Sequence, residues 1–294
     1  MNRPARTPAR LTFRAAGLTT LAMLAFAGNS LLCRVALRDT AIDPASFTTV
    51  RLISGALALA LIVRLRGGKG SGRANWASAL ALFVYAAAFS WAYVSLPAAT
   101  GALLLFGAVQ ATMIGRGLFG GERLNMLQTS GLIAAIAGLL LLLVPGIGAP
   151  PLVGAALMLG AGVAWGVYSL RGRGAADPIG ITAGNFLYAV PPAVVVSALT
   201  LHHAAADLPG ILYAVASGAL TSGIGYAVWY SALPALKATQ AATVQLSVPV
   251  IAAVGGIVLL GEPAGWRLIL ASLAILGGIG LVLFERPRAP DPQS

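Results

Sequence analysis

The sequence predicts an all-α polytopic membrane protein whose ten transmembrane helices form two inverted five-helix repeats. Three observations predict it. Ten apolar stretches are each long enough to cross the bilayer, since about 20 mainly apolar residues span about 30 Å of hydrocarbon. The basic residues fall into alternate gaps between those stretches, and short marks recur in the same order at offsets of 134–140 residues. Composition agrees: 58% of residues are hydrophobic and 9% charged, with mean hydropathy +0.87, whereas soluble domains carry about 25% charged residues. The gaps are too short for a soluble domain, so any activity is expected within the membrane.

The stretches follow in order. The first, 15–37, comes after a basic tail and is read as a retained helix, because it is longer than a signal-peptide core and no small-residue cleavage site follows. The second, 45–65, contains Arg51, the one charge well inside a span. Outward snorkelling, bonding to backbone carbonyls and binding of a substrate carboxylate are its open roles. The third, 75–95, places Tyr85 and Phe89 on one face, four residues apart. The fourth, 98–119, carries Gln110, and the fifth, 126–144, is uniformly Leu, Ile, Ala and Gly without a polar stripe. The sixth, 152–171, has Trp165 and Tyr168 on one face, and Gly154, Gly160, Gly162 and Gly166 as close-packing positions. The seventh, 179–200, contains Asn185 and the ladder-breaking pair Pro191-Pro192. The eighth, 209–232, ends in a stripe of Tyr226, Trp229 and Tyr230. The ninth, 239–260, holds Gln245 and Pro249, and the tenth, 266–284, resembles the fifth. Gly255, Gly256, Gly277, Gly278 and Gly280 are read as packing positions in the last two spans. Trp91, Tyr93, Trp229 and Tyr230, near span ends, read first as interfacial anchors.

Charge gives the orientation. With the amino terminus in the cytoplasm, Arg3, Arg6, Arg10, Arg14, Arg64, Arg66, Lys69, Arg73, Arg116, Arg123, Arg171, Arg173, Lys237, Arg286 and Arg288 fall inside, while only Arg34, Arg38 and Arg267 fall outside. Fifteen against three is a strong positive-inside bias, so both termini are expected in the cytoplasm of a plasma or inner membrane. A net charge of +11 suggests nucleic acid in a soluble protein. Spread over inner loops, it is better explained by topology and anionic headgroups, and no nucleic-acid partner is expected.

Tyr93-Val94-Ser95-Leu96-Pro97-Ala98 recurs as Tyr230-Ser231-Ala232-Leu233-Pro234-Ala235, and Gly120-Gly121-Glu122 as Leu260-Gly261-Glu262. Asp43-Pro44, eight residues before Arg51, recurs as Asp177-Pro178, eight before Asn185, and Ala27-Gly28 matches Trp165-Gly166. Five spans per unit force the second copy to enter the membrane upside down, the arrangement that places substrate between repeats in secondary transporters. The expected division is a basic cytoplasmic tail 1–14, a first repeat 15–144, an extracytoplasmic linker 145–151, a second repeat 152–284 and a cytoplasmic tail 285–294.

These marks resemble the drug/metabolite transporter superfamily, in its EamA-type ten-helix branch, over about residues 18–284; within it, the aromatic content and basic inner loops look most like YddG-type aromatic amino-acid exporters. Where the family pattern has Trp-Gly late in the first span, this chain has Ala27-Gly28. The resemblance implies export of small metabolites, aromatic or hydrophobic amino acids first, by alternating access through a central cavity. It also implies that the cavity is enclosed mainly by spans 1, 3, 4, 6, 8 and 9, with spans 5 and 10 outside as supports. Drugs or other metabolites, phosphorylated sugars included, are the alternative cargo. Phosphate would need several cavity cations, and only Arg51 is in place. An intramembrane enzyme is disfavoured: His202 and His203 have no carboxylate pair, there is no phosphate-binding glycine loop, and the single Cys33 offers no metal site. No cofactor or metal is expected. Candidate cavity residues are Trp165, Tyr85, Tyr226, Gln245, Asn29, Tyr168 and Phe89, since mid-span aromatics and amides need a partner or a wet cavity. No Asp, Glu or His lies mid-span, so the substrate's own gradient is the expected driving force, and a monomer the expected form.

A reporter active only outside the cytoplasm, fused after Ser294, is expected to be silent. Activity at that position would overturn the orientation and the odd-numbered repeat together.

Overall fold

The computed structural model describes residues 13–67, 74–121, 123–144, 146, 149–172, 174–236 and 238–283. Arg3, Arg6, Arg10, Lys69, Arg73, Arg173, Lys237, Arg286, Arg288, Glu122 and most of both expected tails therefore lie outside the described residues. Within them the chain is all helical, with ten helices long and apolar enough to cross a membrane: α1 Phe13–Asp39, α2 Pro44–Leu65, α3 Trp76–Ser95, α4 Ala98–Phe119, α5 Met126–Leu143, α6 Leu152–Arg171, α7 Pro178–Leu199, α8 Leu208–Ala235, α9 Gln240–Leu260 and α10 Trp266–Leu283. All bounds agree with the sequence reading to within three residues. The largest difference is at α8, where Leu233–Ala235 continues the helix as a 3₁₀ turn.

Short connections force neighbouring helices to run antiparallel. The near face is where α1 begins and the far face where it ends. The boundaries are set by local chemistry. Asp43 accepts from Ala45 N and Ser46 N at the start of α2, and Asp177 accepts from Gly180 N at the start of α7, with a proline at the first turn of each. Partial burial raises the Asp43 carboxyl, but hydrogen bonds from Ser46, Ala205 and Ala45 outweigh it and hold the group below the ordinary carboxylate range. Gly261, at φ 64°, closes α9 in the left-handed conformation.

The packing has exchange symmetry between the halves. Helices α2 and α7, α4 and α9, and α5 and α10 pair with their own counterparts. The contact of α3 with α6 is mirrored by α8 with α1, that of α4 with α6 by α9 with α1, and that of α2 with α8 by α7 with α3. Helices α5 and α10 form a separate pair at the edge. Arg267 on α10 donates to Leu141 O and Val144 O, filling the carbonyl end of α5.

Lipid and core are equally apolar, so size sorts the residues. Leu57, Leu61, Leu187, Val258, Leu259 and Leu273 face outward, while the interior is rich in alanine and glycine. Gly154, Gly162, Gly166, Gly255, Gly256 and Gly278 sit where an added Cβ would press into a neighbouring helix, as their packing role requires. Gly160, Gly277 and Gly280 instead meet open space, so glycine content alone overstates the packed positions.

Two helices depart from regular winding. Pro249 has no N–H for the carbonyl four residues back, that of Gln245, and α9 breaks at Leu246. In α8, Ala216–Ile224 is wound as a π-helix, a form found mostly as short bulges near functional sites. Gly218 there lies so close to α2 that a Cβ would collide with Ser54 Oγ and Arg51 O.

At Gly278 a Cβ would run into Gly131 O and, at 2.7 Å, Ala135 N. Gly278→Val is expected to separate α5 from α10 and cost about 1–3 kcal/mol by overpacking. Thermal unfolding of the purified protein should show it as a lower midpoint. An unchanged midpoint would mean that this contact does not hold the edge pair.

Candidate functional site

A cavity of about 770 Å³ opens at the near face and runs toward the middle of the bundle. Its mouth is bordered by Arg66, by the α6–α7 connection at Asp177 and by the α8–α9 connection at Pro234; its wall comes mainly from α1, α3, α4, α6, α8 and α9. Neither α5 nor α10 contributes to it.

The wall is an aromatic cage built from both halves. Trp165 stacks on Tyr226, with centroids 5.2 Å apart, and on Tyr168 at 5.4 Å, and it meets Tyr85 at 4.8 Å. Phe26 stands edge-on to Tyr226 and Trp229. Tyr85 continues to Phe89, which meets Tyr93 edge-on at 4.7 Å. Such pairs add about 0.5–1.5 kcal/mol each beyond burial and hold ring orientations.

Deeper in, the cage meets a polar cluster. Asn29 Nδ2 donates to Tyr85 Oη at 3.4 Å, while Asn29 Oδ1 accepts from Ser217 at 2.7 Å and Thr221 at 3.3 Å. Arg51 Nη2 donates to Tyr85 Oη at 3.1 Å, and its Nε and Nη2 both lie 3.4 Å from Ser222 Oγ. Arg51 enters α2 from the far face, about 10 Å along the axis at 1.5 Å per residue. At 1% exposure it neither snorkels nor bonds carbonyls through its guanidinium. Two hydroxyls and two ring faces take those roles, because the tight α2–α8 contact at Gly218 brings Ser222 within reach.

The far face is closed over this cluster. Arg34 Nε bonds Glu262 Oε1 at 3.1 Å, and Arg34 Nη1 donates to Tyr93 O at 2.9 Å and Val94 O at 3.2 Å. Glu262 Oε2 accepts from Ala98 N at 2.8 Å. Pro97 has no side chain able to cap α4, so a carboxylate from the other half satisfies the orphan N–H and meets the positive end of the helix. Glu262 is 7% exposed.

Of the seven candidates from sequence, Trp165, Tyr85, Tyr226, Gln245, Asn29 and Phe89 line the cavity, with Gln245 placed by the break in α9. Tyr168 stands behind the wall, stacked on Trp165 and donating to Thr182 Oγ1 at 3.3 Å. Three of the four residues read as interfacial anchors are elsewhere. Trp229 and Tyr230 line the mouth, and Tyr93 is fully buried, because the near-face opening replaces the headgroup layer at the end of α8 and the Arg34 closure covers the end of α3. Phe26, Ser30, Thr221 and Ser222 were not anticipated. The hydroxyl pair Thr221-Ser222 in an apolar span was the available signal for two of them. Among the described residues no group of three His, Cys, Asp or Glu could hold a metal.

Comparison with known proteins adds the following. The sequence model of the EamA-like transporter family matches residues 14–144 and again residues 152–284. A Pseudomonas aeruginosa protein described as uncharacterized is 59% identical over 270 residues, covering 92% of this chain and 94% of its own length. An uncharacterized transporter of Archaeoglobus fulgidus is 27% identical over 168 residues, 56% of this chain and 60% of that protein. A solved crystal structure shares the fold with TM-score 0.66 at 20% identity, over 91% of this chain and 96% of the other.

If the Arg34–Glu262 pair closes the far face, Glu262→Gln should open it. In a Cys33→Ala background with Ser30→Cys in the cavity, an impermeant thiol reagent added from the far face should react slowly. Adding Glu262→Gln is expected to raise that rate on the order of tenfold, since charged hydrogen bonds contribute about 1.5–3 kcal/mol. Equal rates with and without Glu262→Gln would assign the closure to other contacts.

Proposed function

The chain belongs to the EamA-like transporter family, and from that premise we propose that it exports small amphipathic metabolites, aromatic or hydrophobic amino acids first, by alternating access. Members of this family are transporters, and the chain is a multi-pass membrane protein with a small-molecule cargo. The observation that carries the finer reading is the cage around Trp165: a pocket of about 770 Å³, walled by rings and a few amides, open at one face and covered at the other by an ion pair. A cavity of this size and lining suits a solute with one apolar ring and a small polar head. A phosphorylated cargo would call for more cations than Arg66 at the mouth and Arg51 behind the wall.

The orientation bias makes the near face cytoplasmic, in the inner or plasma membrane, so the cavity loads from inside and the Arg34–Glu262 contact parts to release outward. Each copy holds a complete pathway and acts as a monomer. The driving force is the solute's own gradient, by facilitated diffusion or exchange: among the described residues the acidic side chains stand at helix ends rather than at mid-span, and a proton-coupled step needs a titrating group in the pathway.

The test is counterflow in liposomes containing only this protein, across a panel of amino acids, with no pH difference and no membrane potential. Labelled aromatic or branched apolar amino acids are expected to accumulate against their own labelled gradient. Trp165→Ala should cut that flux about tenfold while the protein still purifies as a folded species, because a large stacking surface is lost. Undiminished flux in folded Trp165→Ala would remove the cage from the pathway. Transport that collapses whenever protonophore is added, with solute gradients fixed, would overturn the gradient-driven reading.

A further inference from the structure

A buried cation without an anion raises the energy of a fold by several kcal/mol. Arg51 is such a cation. It is 1% exposed, and the ion pairs among the described residues, Arg34–Glu262 and Arg38–Asp39, do not include it. Its Nη1 is buried and meets no hydrogen-bond acceptor. The rings of Tyr85 and Phe89 lie 5.3 and 5.0 Å from Cζ, and cation–π contacts of this kind offset only part of the lost hydration.

The cluster around it has more donors than oxygens to receive them. Tyr85 Oη accepts from both Arg51 and Asn29, Ser222 Oγ accepts from Arg51, and Asn29 Oδ1 accepts from Ser217 and Thr221. A hydroxyl that accepts from a cation becomes a stronger donor in turn. The O–H groups of Tyr85 and Ser222 therefore carry the Arg51 charge one bond further, within two residues that line the cavity. Among the described residues no carboxylate pairs with Arg51.

We propose that the transported solute supplies the anion: its carboxylate accepts from the Tyr85 and Ser222 hydroxyls, with Arg51 fixed behind them as counter-charge, while its ring lies against Trp165 and Tyr226. This deepens, and rests on, the reading of the cavity as the solute pathway. It makes the protein selective for carboxylate-bearing ring compounds, zwitterionic or anionic, and against organic cations of the same shape. Rejection follows because a cation would meet a like charge through polarised donors in a low-dielectric wall.

The test uses three solutes with one ring, phenylpropionate, phenylalanine and phenethylamine, titrated against the full-length protein by tryptophan fluorescence. The wild type is expected to bind both carboxylates about tenfold or more tightly than the amine, the range of a charged hydrogen bond. Tyr85→Phe and Ser222→Ala should each weaken the carboxylates by about tenfold and leave the amine where it was. Arg51→Gln should weaken the carboxylates likewise and, with the like charge gone, tighten the amine; should it fail to fold, the two hydroxyl variants still decide. Phenethylamine binding as tightly as phenylpropionate, or variants that weaken all three alike, would overturn the anion subsite. The exporter reading fails separately. If phenylalanine never crosses the membrane while phenylpropionate binding still depends on Tyr85, the anion subsite stands and the amino-acid cargo does not. If phenylalaninamide crosses as fast as phenylalanine, the cargo class stands and the anion subsite does not.

Discussion

Hydrocarbon offers no hydrogen bond to a polar group, and the structure follows from where each such group finds a partner. Backbone groups are satisfied within helices, which is why the spans are helical at all. Some hydroxyls turn back on the carbonyl four residues earlier, as at Thr19, Thr112 and Thr129, and so spend their donor within their own helix. Other polar groups reach across helices, as Thr48 does to Ser90, Thr49 to Ser197, Tyr168 to Thr182, Asn29 to Ser217, and Arg51 to Tyr85 and Ser222. They concentrate where the two halves face each other, and the cavity lies beside them.

The halves exchange contacts pairwise, yet their two ends are not alike. Glu262 reaches across to the start of α4, while the near-face ends of α2, α6 and α8 stand apart around the mouth. A related pair of sequences thus holds unlike ends at once. A bundle made of inverted copies can exchange those roles without new contacts being invented, because each half carries the marks of the other.

Much of this was legible in the chain. Bilayer thickness fixes span length, and charge placement fixes alternation, so the ten helices emerged from hydropathy almost to the residue. The mid-span aromatics Tyr85, Trp165 and Tyr226 were legible for a related reason, since large rings with polar edges have few places to go in an apolar helix. Trp229 and Tyr230 were less so. A ring at the end of a span has the same composition whether it faces headgroups or an open mouth, and only the packing of its neighbours distinguishes them. Ser217, Thr221 and Ser222 were harder still, because hydroxyls in apolar helices usually bond their own backbone. The winding of α8 leaves no mark in composition, and the partners of Arg51 depend on it.

In an α-helix each residue advances about 100° around the axis, which would set Ser217 and Ser222 on well-separated flanks. The i→i+5 pattern of Ala216–Ile224 advances each residue by less, and it gathers Ser217, Thr221 and Ser222 onto one side. One widened turn can then serve α1, through Asn29, and α2, through Arg51, at a single depth. The segment is thereby a screw joint. Its pitch sets the bearing of everything that follows in α8, including Tyr226 and Trp229, so chain length between Ala216 and Ile224 is equivalent to rotation: one residue fewer turns the aromatic end of the helix away from the cage without changing any residue that lines it.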